Sequence, residues 1–239
     1  MVIPLVVYKS LRQHLVSTLV SAAAIALAGG LLMSVWVMRQ EASRTFTSVS
    51  GGFDAVLGAR SSKLQLVLNA IFHLEDSPGN ISAADVETVL KNPNIEFGLP
   101  IAVGDNYQGY RLVGTTTELF ERVEFAAGRR YRVAEPGRLF AMGQKEAVAG
   151  SFAAQQLGLA PGGTFHPFHG LIYDETKQHA ETFVVAGVLE PTGTPADRVI
   201  WIPLEGLQRM SGHDARAATD VSALLIRLKQ SNPMAGFQL

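Results

Sequence analysis

The longest apolar run in the chain extends from Leu15 to Met38 and contains no charged residue. At about 1.5 Å per residue, a helix of this run reaches about 36 Å, which exceeds the ~30 Å hydrocarbon core of a bilayer. Charged residues flank it on both sides, with Lys9 and Arg12 before the run and Arg39 immediately after it. The pattern predicts a transmembrane helix over residues 15–38.

A cleaved signal peptide is the competing interpretation of this run, with the small residues 26–28 (Ala-Leu-Ala) as the cleavage site. The apolar run continues past Ala28 to Met38, which a signal peptide does not need. We therefore predict an uncleaved anchor. Lys and Arg are balanced on its two flanks, so the positive-inside rule hardly orients it. A cytoplasmic N-terminus is favoured because the short basic segment 1–14 need not be translocated, and this segment is predicted to be an interfacial amphipathic helix.

The pattern changes after the span. Residues 39–52 are predicted to extend the helix and end in a Ser-Gly-Gly linker, residues 53–230 to form a folded domain, and residues 231–239 to be a tail. Within the domain, Ser62 and Ser82 are candidate N-caps of helices over 63–74 and 83–92. The spacing of five apolar residues predicts one buried face on the first of these helices: Leu64, Val67, Leu68, Ile71 and Phe72.

Short apolar runs between turn residues predict strands, and residues 104–106 (Gly-Asp-Asn) are predicted to be a turn between two of them. The predicted strands are 53–58, 95–103, 109–114, 146–150, 181–189, 198–204 and 221–229. This alternation of short strands and short helices predicts a mixed α+β domain of two small lobes.

Composition excludes several classes of protein. The formal net charge of −1 offers no basic surface for nucleic acid. With no cysteine, the chain has neither a disulfide framework nor a thiol nucleophile. It also contains no GxxxxGK[ST] loop for nucleotide binding. We therefore predict no catalytic residue, no bound cofactor and no enzymatic activity of the chain itself.

One polar segment carries residue types that bind metals. His166, His169 and His179, with Asp174 between them, lie in a turn-rich stretch, and imidazole and carboxylate groups are ligands of zinc or copper. The alternative is a solvated loop with incidental histidines, which we favour because Pro167 prevents the HxxH spacing from lying on a helix. No metal site is predicted, and these three histidines are the candidates if one exists.

Three stretches of the chain resemble the MacB/FtsX-type ABC transporter permeases, and in particular their periplasmic core domain. They are SGGFDAVLGARSSKLQLVLNAIFHLEDSPGNIS (50–82), PIAVGDNYQGYRLVGTT (100–116) and FVVAGVLEPTGTPADRVIWIPLE (183–205). The order of basic N-terminal helix, single span and α+β domain is also similar, so the resemblance covers essentially the whole chain.

The resemblance implies a permease subunit of the bacterial inner membrane, with a cytoplasmic N-terminus and a periplasmic main domain. It implies a separate cytoplasmic ABC ATPase as partner, a homodimer or heterodimer of permeases, and a periplasmic substrate or partner protein. Such permeases have three further spans after the domain, and nothing after Lys229 is apolar enough to span. We therefore expect a C-terminally truncated permease without independent transport activity. The alternatives are a stand-alone membrane-anchored binding or sensor domain, and a secreted enzyme released by signal cleavage.

Overall fold

The computed structural model describes residues 3–211 and 219–229. The chain divides into two compact units, residues 1–46 and 47–239. In the first unit, helix α1 spans Ile3–Gln13 and is followed by helix α2, which spans Leu15–Val49. The part of α2 from Leu15 to Gln40 is long and apolar enough to cross a membrane. Both predicted N-terminal helices are therefore present, and α2 continues beyond the apolar run. The predicted tail over 231–239 lies outside the described residues.

The second unit is built on a sheet of nine strands, with short helices between them. In the described residues the strands are β1 (Ala55–Gly58), β2 (Ile95–Tyr107), β3 (Tyr110–Thr115), β4 (Glu124–Ala126), β5 (Arg129–Arg130), β6 (Glu146–Ala149), β7 (Thr164–Phe165), β8 (Phe168–His169), β9 (Phe183–Val188), β10 (Ile200–Pro203) and β11 (Ala223–Leu228). The helices are α3 (Lys63–Ala70), α4 (Ala83–Leu90), α5 (Glu118–Arg122), α6 (Ser151–Leu157) and α7 (Leu204–Gln208), with 3-10 helices at Glu175–Lys177 and Pro195–Arg198. The predicted α+β class is confirmed.

The strand order in the large sheet is β1-β11-β2-β3-β10-β6-β9-β7, and β8 pairs with β2 off this path. Strand β10 is parallel to β3 and β6 is parallel to β9, whereas the other pairs in the sheet are antiparallel. The last strand of the described chain, β11, lies between β1 and β2. Strands β4 and β5 form a separate hairpin.

Strand β2 is the longest of the described strands. Its first part pairs with β11 and its second part with β3. The predicted turn at residues 104–106 is wrong, because these residues continue β2 after a register shift between Val103 and Asp105. The chain reverses instead at Gln108 and Gly109, whose φ angles are 49° and 85°. A two-residue hairpin of this kind matches the twist of the flanking strands when both central residues have positive φ. The strand therefore extends four residues beyond its predicted end at Val103.

The core of the second unit consists of three clusters of buried apolar side chains, and β2 contributes to all of them. Leu99 and Ile101 lie in the first cluster with Trp201, Ala102 lies in the second with Phe183, and Ile95 lies in the third with Leu224. Since each cluster contains a residue of β2, this strand connects them across the sheet.

The two serine caps are confirmed. Ser62 accepts a hydrogen bond from the Gln65 amide (3.1 Å), and Ser82 accepts one from the Asp85 amide (3.2 Å). The predicted buried face of the first helix is wrong at two positions, because Leu64 is 68% exposed and Val67 is also exposed. Its other members, Leu68, Ile71 and Phe72, are partly buried. Helix α3 ends at Ala70, earlier than predicted, and it packs against the first cluster through Leu66 and Ala70, followed by Ile71 just after the helix.

Candidate functional site

The polar segment that carries the candidate histidines folds along the end of β2. Strand β8 pairs with β2 so that His169 lies opposite Asp105 and Phe168 opposite Asn106. The Asn106 side-chain amide donates to the carbonyl of Gly170 (2.8 Å), which holds the following loop against β2.

Backbone contacts with the β8 segment bring His179 close to His169 and Asp105. Its amide donates to the Pro167 carbonyl (2.8 Å), and the neighbouring Gln178 forms an isolated β-bridge with Phe168. Two histidines ten positions apart in sequence therefore meet over one strand, with ring centroids 5.5 Å apart.

Asp105 lies between the two imidazoles. Its carboxylate Oδ1 is 3.3 Å from His169 Nδ1 and 3.4 Å from His179 Nε2. The Gly170 amide donates to the same oxygen (3.3 Å). The side chains of Asp105 and His179 are 0% and 4% exposed, whereas that of His169 is 52% exposed. We call Asp105, His169 and His179 the His-Asp-His cluster. Two of its side chains are buried, and that of His169 faces solvent.

The other two candidates of the sequence lie apart from this cluster. His166 is exposed, and its Nδ1 lies 3.2 Å from the Glu181 carbonyl. Asp174 caps the first 3-10 helix by accepting hydrogen bonds from the amide and hydroxyl of Thr176, and these bonds lower the pKa of its carboxyl. The structure thus brings together two of the three candidate histidines.

The sequence interpretation missed Asp105 because it placed this residue in a turn. The signal that could have corrected it is the arrangement Tyr107-Gln108-Gly109-Tyr110, in which two tyrosines flank a glycine-containing dipeptide. These tyrosines are the last register pair of the β2–β3 hairpin. A hairpin turn at Gln108 and Gly109 leaves Asp105 in the strand, and the pleat then decides which face its carboxylate occupies.

A cleft of about 630 Å³ lies beside the His-Asp-His cluster. Its lining includes Phe72, Leu74, Asp76, Gln108, Arg111 and Ile172. The cleft and the cluster share one loop, because Gly170 donates to Asp105 while the next two residues, Leu171 and Ile172, line the cleft.

The cleft carries charges of both signs. The Arg111 guanidinium donates to the Leu74 carbonyl (3.0 Å), and burial lowers the pKa of this guanidinium against the opposing effect of Asp76 and Glu75. Arg198 also lines the cleft, and its guanidinium stacks on the Phe152 ring, 4.2 Å from the centroid. The volume of this cleft lies within the range of ligand-binding clefts.

The chemistry available in the cluster is that of one carboxylate and two imidazoles. Their ligand atoms all lie within 4.8 Å of one another. Such a set can hold a divalent cation.

A family model described as the MacB-like periplasmic core domain matches residues 18–238 of the chain. No curated protein matches the chain in sequence. Among solved structures, the extracellular domain of the noncanonic ABC-type transporter YknZ from Gram-positive bacteria is 13% identical, with a TM-score of 0.44, over 75% of this chain and 84% of that one. The periplasmic region of MacB from Actinobacillus actinomycetemcomitans is 12% identical, with a TM-score of 0.48, over 80% of this chain and 81% of that one.

Proposed function

The chain belongs to the MacB-like periplasmic core domain family, which is homologous to parts of ABC-type transporter permeases, and we propose that it is a permease subunit of a MacB/FtsX-type transporter. In this proposal helix α2 anchors it in the bacterial inner membrane. The sheet domain lies in the periplasm and couples a cytoplasmic ATPase to an extracytoplasmic substrate or partner protein.

The observation that carries the proposal is the extent of the family match. It begins at residue 18, inside the apolar part of α2, and continues through the whole sheet domain. The membrane helix and the domain are thus matched as one unit of sequence. A single family model that matches both the apolar helix and the domain indicates that this combination is a feature of the family.

The path of α2 supports a role in coupling. The apolar part ends at Gln40, and the helix continues without interruption to Val49. In a continuous helix each backbone amide donates to the carbonyl four residues earlier, which stiffens the helix so that movement at one end is transmitted along it.

The ATPase of this transporter is proposed to be a separate subunit, as the resemblance to MacB/FtsX-type permeases implies. A single span does not enclose a path through the bilayer by itself. The chain would therefore act with further spans, as a homodimer or heterodimer of permeases. A stand-alone binding domain is the second candidate, and the cleft of about 630 Å³ with charged residues favours it.

Isolation of the full chain with its partners separates these two functions. We expect an ABC ATPase subunit to co-purify with the tagged chain from native membranes in mild detergent, identified by mass spectrometry. An unrelated single-span membrane protein with the same tag is the control and should not retain the ATPase. Recovery of the chain without any ABC ATPase, also after chemical cross-linking in intact membranes, would contradict the permease function and favour the binding domain.

A further inference from the structure

We propose that the His-Asp-His cluster is a binding site for a divalent transition-metal ion, with Zn(II) as the ion that its ligands and geometry suit. The site would be independent of the transporter function proposed above, because it requires only the sheet domain. Its ligands would be the Asp105 carboxylate and the His169 and His179 imidazoles.

Two of the three spacings between the ligand atoms fit tetrahedral coordination. Zinc lies about 2.0–2.2 Å from imidazole nitrogens and carboxylate oxygens, so neighbouring ligand atoms of a tetrahedral site are roughly 3.3–3.6 Å apart. Asp105 Oδ1 is 3.3 Å from His169 Nδ1 and 3.4 Å from His179 Nε2. The ligand atoms of the two imidazoles lie within 4.8 Å of each other, so rotation of the half-exposed His169 side chain would close the site around an ion.

The backbone positions all three ligands. Asp105 and His169 are directly paired residues of β2 and β8, and His179 is placed by the hydrogen bond from its amide to Pro167. Ligands on paired strands need little ordering when an ion binds, which favours affinity. The Gly170 amide, which donates to Asp105 Oδ1, supplies the outer-shell hydrogen bond that commonly orients a ligating carboxylate.

Charge and exposure also suit a cation. A buried carboxylate is costly unless positive charge or hydrogen bonds compensate it, and the Asp105 side chain is fully buried. A divalent ion would place positive charge directly beside this carboxylate. His169 is half exposed, so the fourth coordination position would face solvent and take a water molecule.

The expected consequence is a tighter connection between the loop and the sheet. His169 and His179 enclose the loop that contains Leu171 and Ile172, two residues of the cleft wall. An ion bound to both histidines and to β2 would fix the two ends of this loop. Metal occupancy would therefore change the order of one wall of the cleft.

Calorimetric titration of the full chain tests the site directly. The protein is purified in detergent without a polyhistidine tag, freed of metal and titrated with Zn(II). We expect one equivalent to bind and, at about 100 times the dissociation constant, to raise the Tm by roughly 5 °C or more. Co(II) in place of Zn(II) should give the visible absorption typical of four-coordinate cobalt.

Two single variants provide the comparison. His169→Ala should weaken Zn(II) binding at least tenfold and abolish the cobalt spectrum, and because this side chain is half exposed the variant is expected to fold. His166→Ala is the matched control, since it removes an exposed histidine of the same segment that lies outside the cluster. It should bind like the wild type.

The proposal is overturned if the wild type shows no saturable Zn(II) binding, because the cluster is then only a hydrogen-bonded group of side chains. It is equally overturned if His169→Ala and His166→Ala bind alike, because the ion then lies elsewhere. Asp105→Asn preserves the size of the buried side chain and should also lose binding. If that variant fails to fold, the comparison of the two histidine variants decides.

Discussion

His73 is the buried ionisable residue whose protonation most clearly differs between the folded and the unfolded chain. Its ring packs edge-on against Trp201, with centroids 5.6 Å apart, and its φ of 56° lies in the left-handed region. Burial lowers its pKa from 6.5 to about 4, with a further lowering by the positive charge of Arg111. A hydrogen bond involving the Asn69 backbone opposes these effects. The folded protein therefore holds this imidazole neutral.

We predict that His73 makes the domain less stable in mild acid. Between pH 6.5 and about 4 the unfolded chain binds a proton at His73 that the folded chain does not, so its contribution to stability is lost as the pH falls through this range. A shift of this size corresponds to about 3 kcal/mol in the free energy of unfolding at about pH 4. Urea unfolding at pH 7.5 and 4.5 should show this loss.

The control is His73→Asn, because asparagine tolerates left-handed backbone but does not titrate. The stability of this variant should depend less on pH than that of the wild type. Glu146 does not confuse the comparison, because hydrogen bonds from Arg138 lower its pKa from 4.5 to about 2 and its effect falls in a lower pH range. Equal pH dependence in wild type and variant would contradict the prediction.

At the scale of the elements, the short helices of the domain depend on their caps and on tertiary contacts. Helices of eight residues such as α3 and α4 are too short to be stable by propensity alone. Each begins with a serine whose hydroxyl accepts the amide hydrogen bond of the third residue after it. In α4 the Ser82 hydroxyl also donates to the Asp85 carboxylate (2.7 Å). The caps therefore satisfy amides that the helices leave free.

We predict that Ser62→Ala lowers the free energy of unfolding by about 1 kcal/mol, because the Gln65 amide loses its acceptor. The adjacent Ser61 provides the matched control. Its hydroxyl donates only to the Ser62 carbonyl, so Ser61→Ala should change stability by less than about 0.5 kcal/mol. Chemical denaturation of the two variants in parallel measures the difference. If both variants lose the same stability, the cap has no specific role.

At the scale of the whole molecule, the chain combines a helical unit, residues 1–46, with a sheet unit, residues 47–239. The proposed orientation puts the first residues in the cytoplasm and the sheet unit in the periplasm. The sequence has no cysteine, so a single introduced cysteine reports its own accessibility without any background. Ser10 in α1 and Glu87 in α4 are exposed positions suited to such a test.

We predict that Glu87→Cys is labelled by a membrane-impermeant maleimide in intact spheroplasts. Ser10→Cys should be labelled only after the cells are lysed, because the inner membrane separates it from the reagent. The cysteine-free wild type controls for labelling of other groups. Labelling of Ser10→Cys but not of Glu87→Cys in intact spheroplasts would reverse the proposed orientation.

The sequence by itself determined the features that depend on local pattern. The apolar run at 15–38, the α+β class, most strands and the two serine caps follow from composition and periodicity within a few residues, and the family resemblance follows from contiguous stretches. Such features need no knowledge of distant parts of the chain. Local reasoning failed where a neighbour in space decides, as at Leu64 and Val67, which the fold leaves exposed.

Only the tertiary structure decided the strand order and the site. Strand β11 lies between β1 and β2, and β8 adds to β2 from a polar segment, so residues far apart in sequence become partners. Asp105 meets His169 and His179 because a hairpin turn three residues later keeps it in the strand, and because the backbone of His179 pairs with Pro167. Each of these contacts depends on pairing across the fold, which hydrophobic periodicity along one segment does not specify.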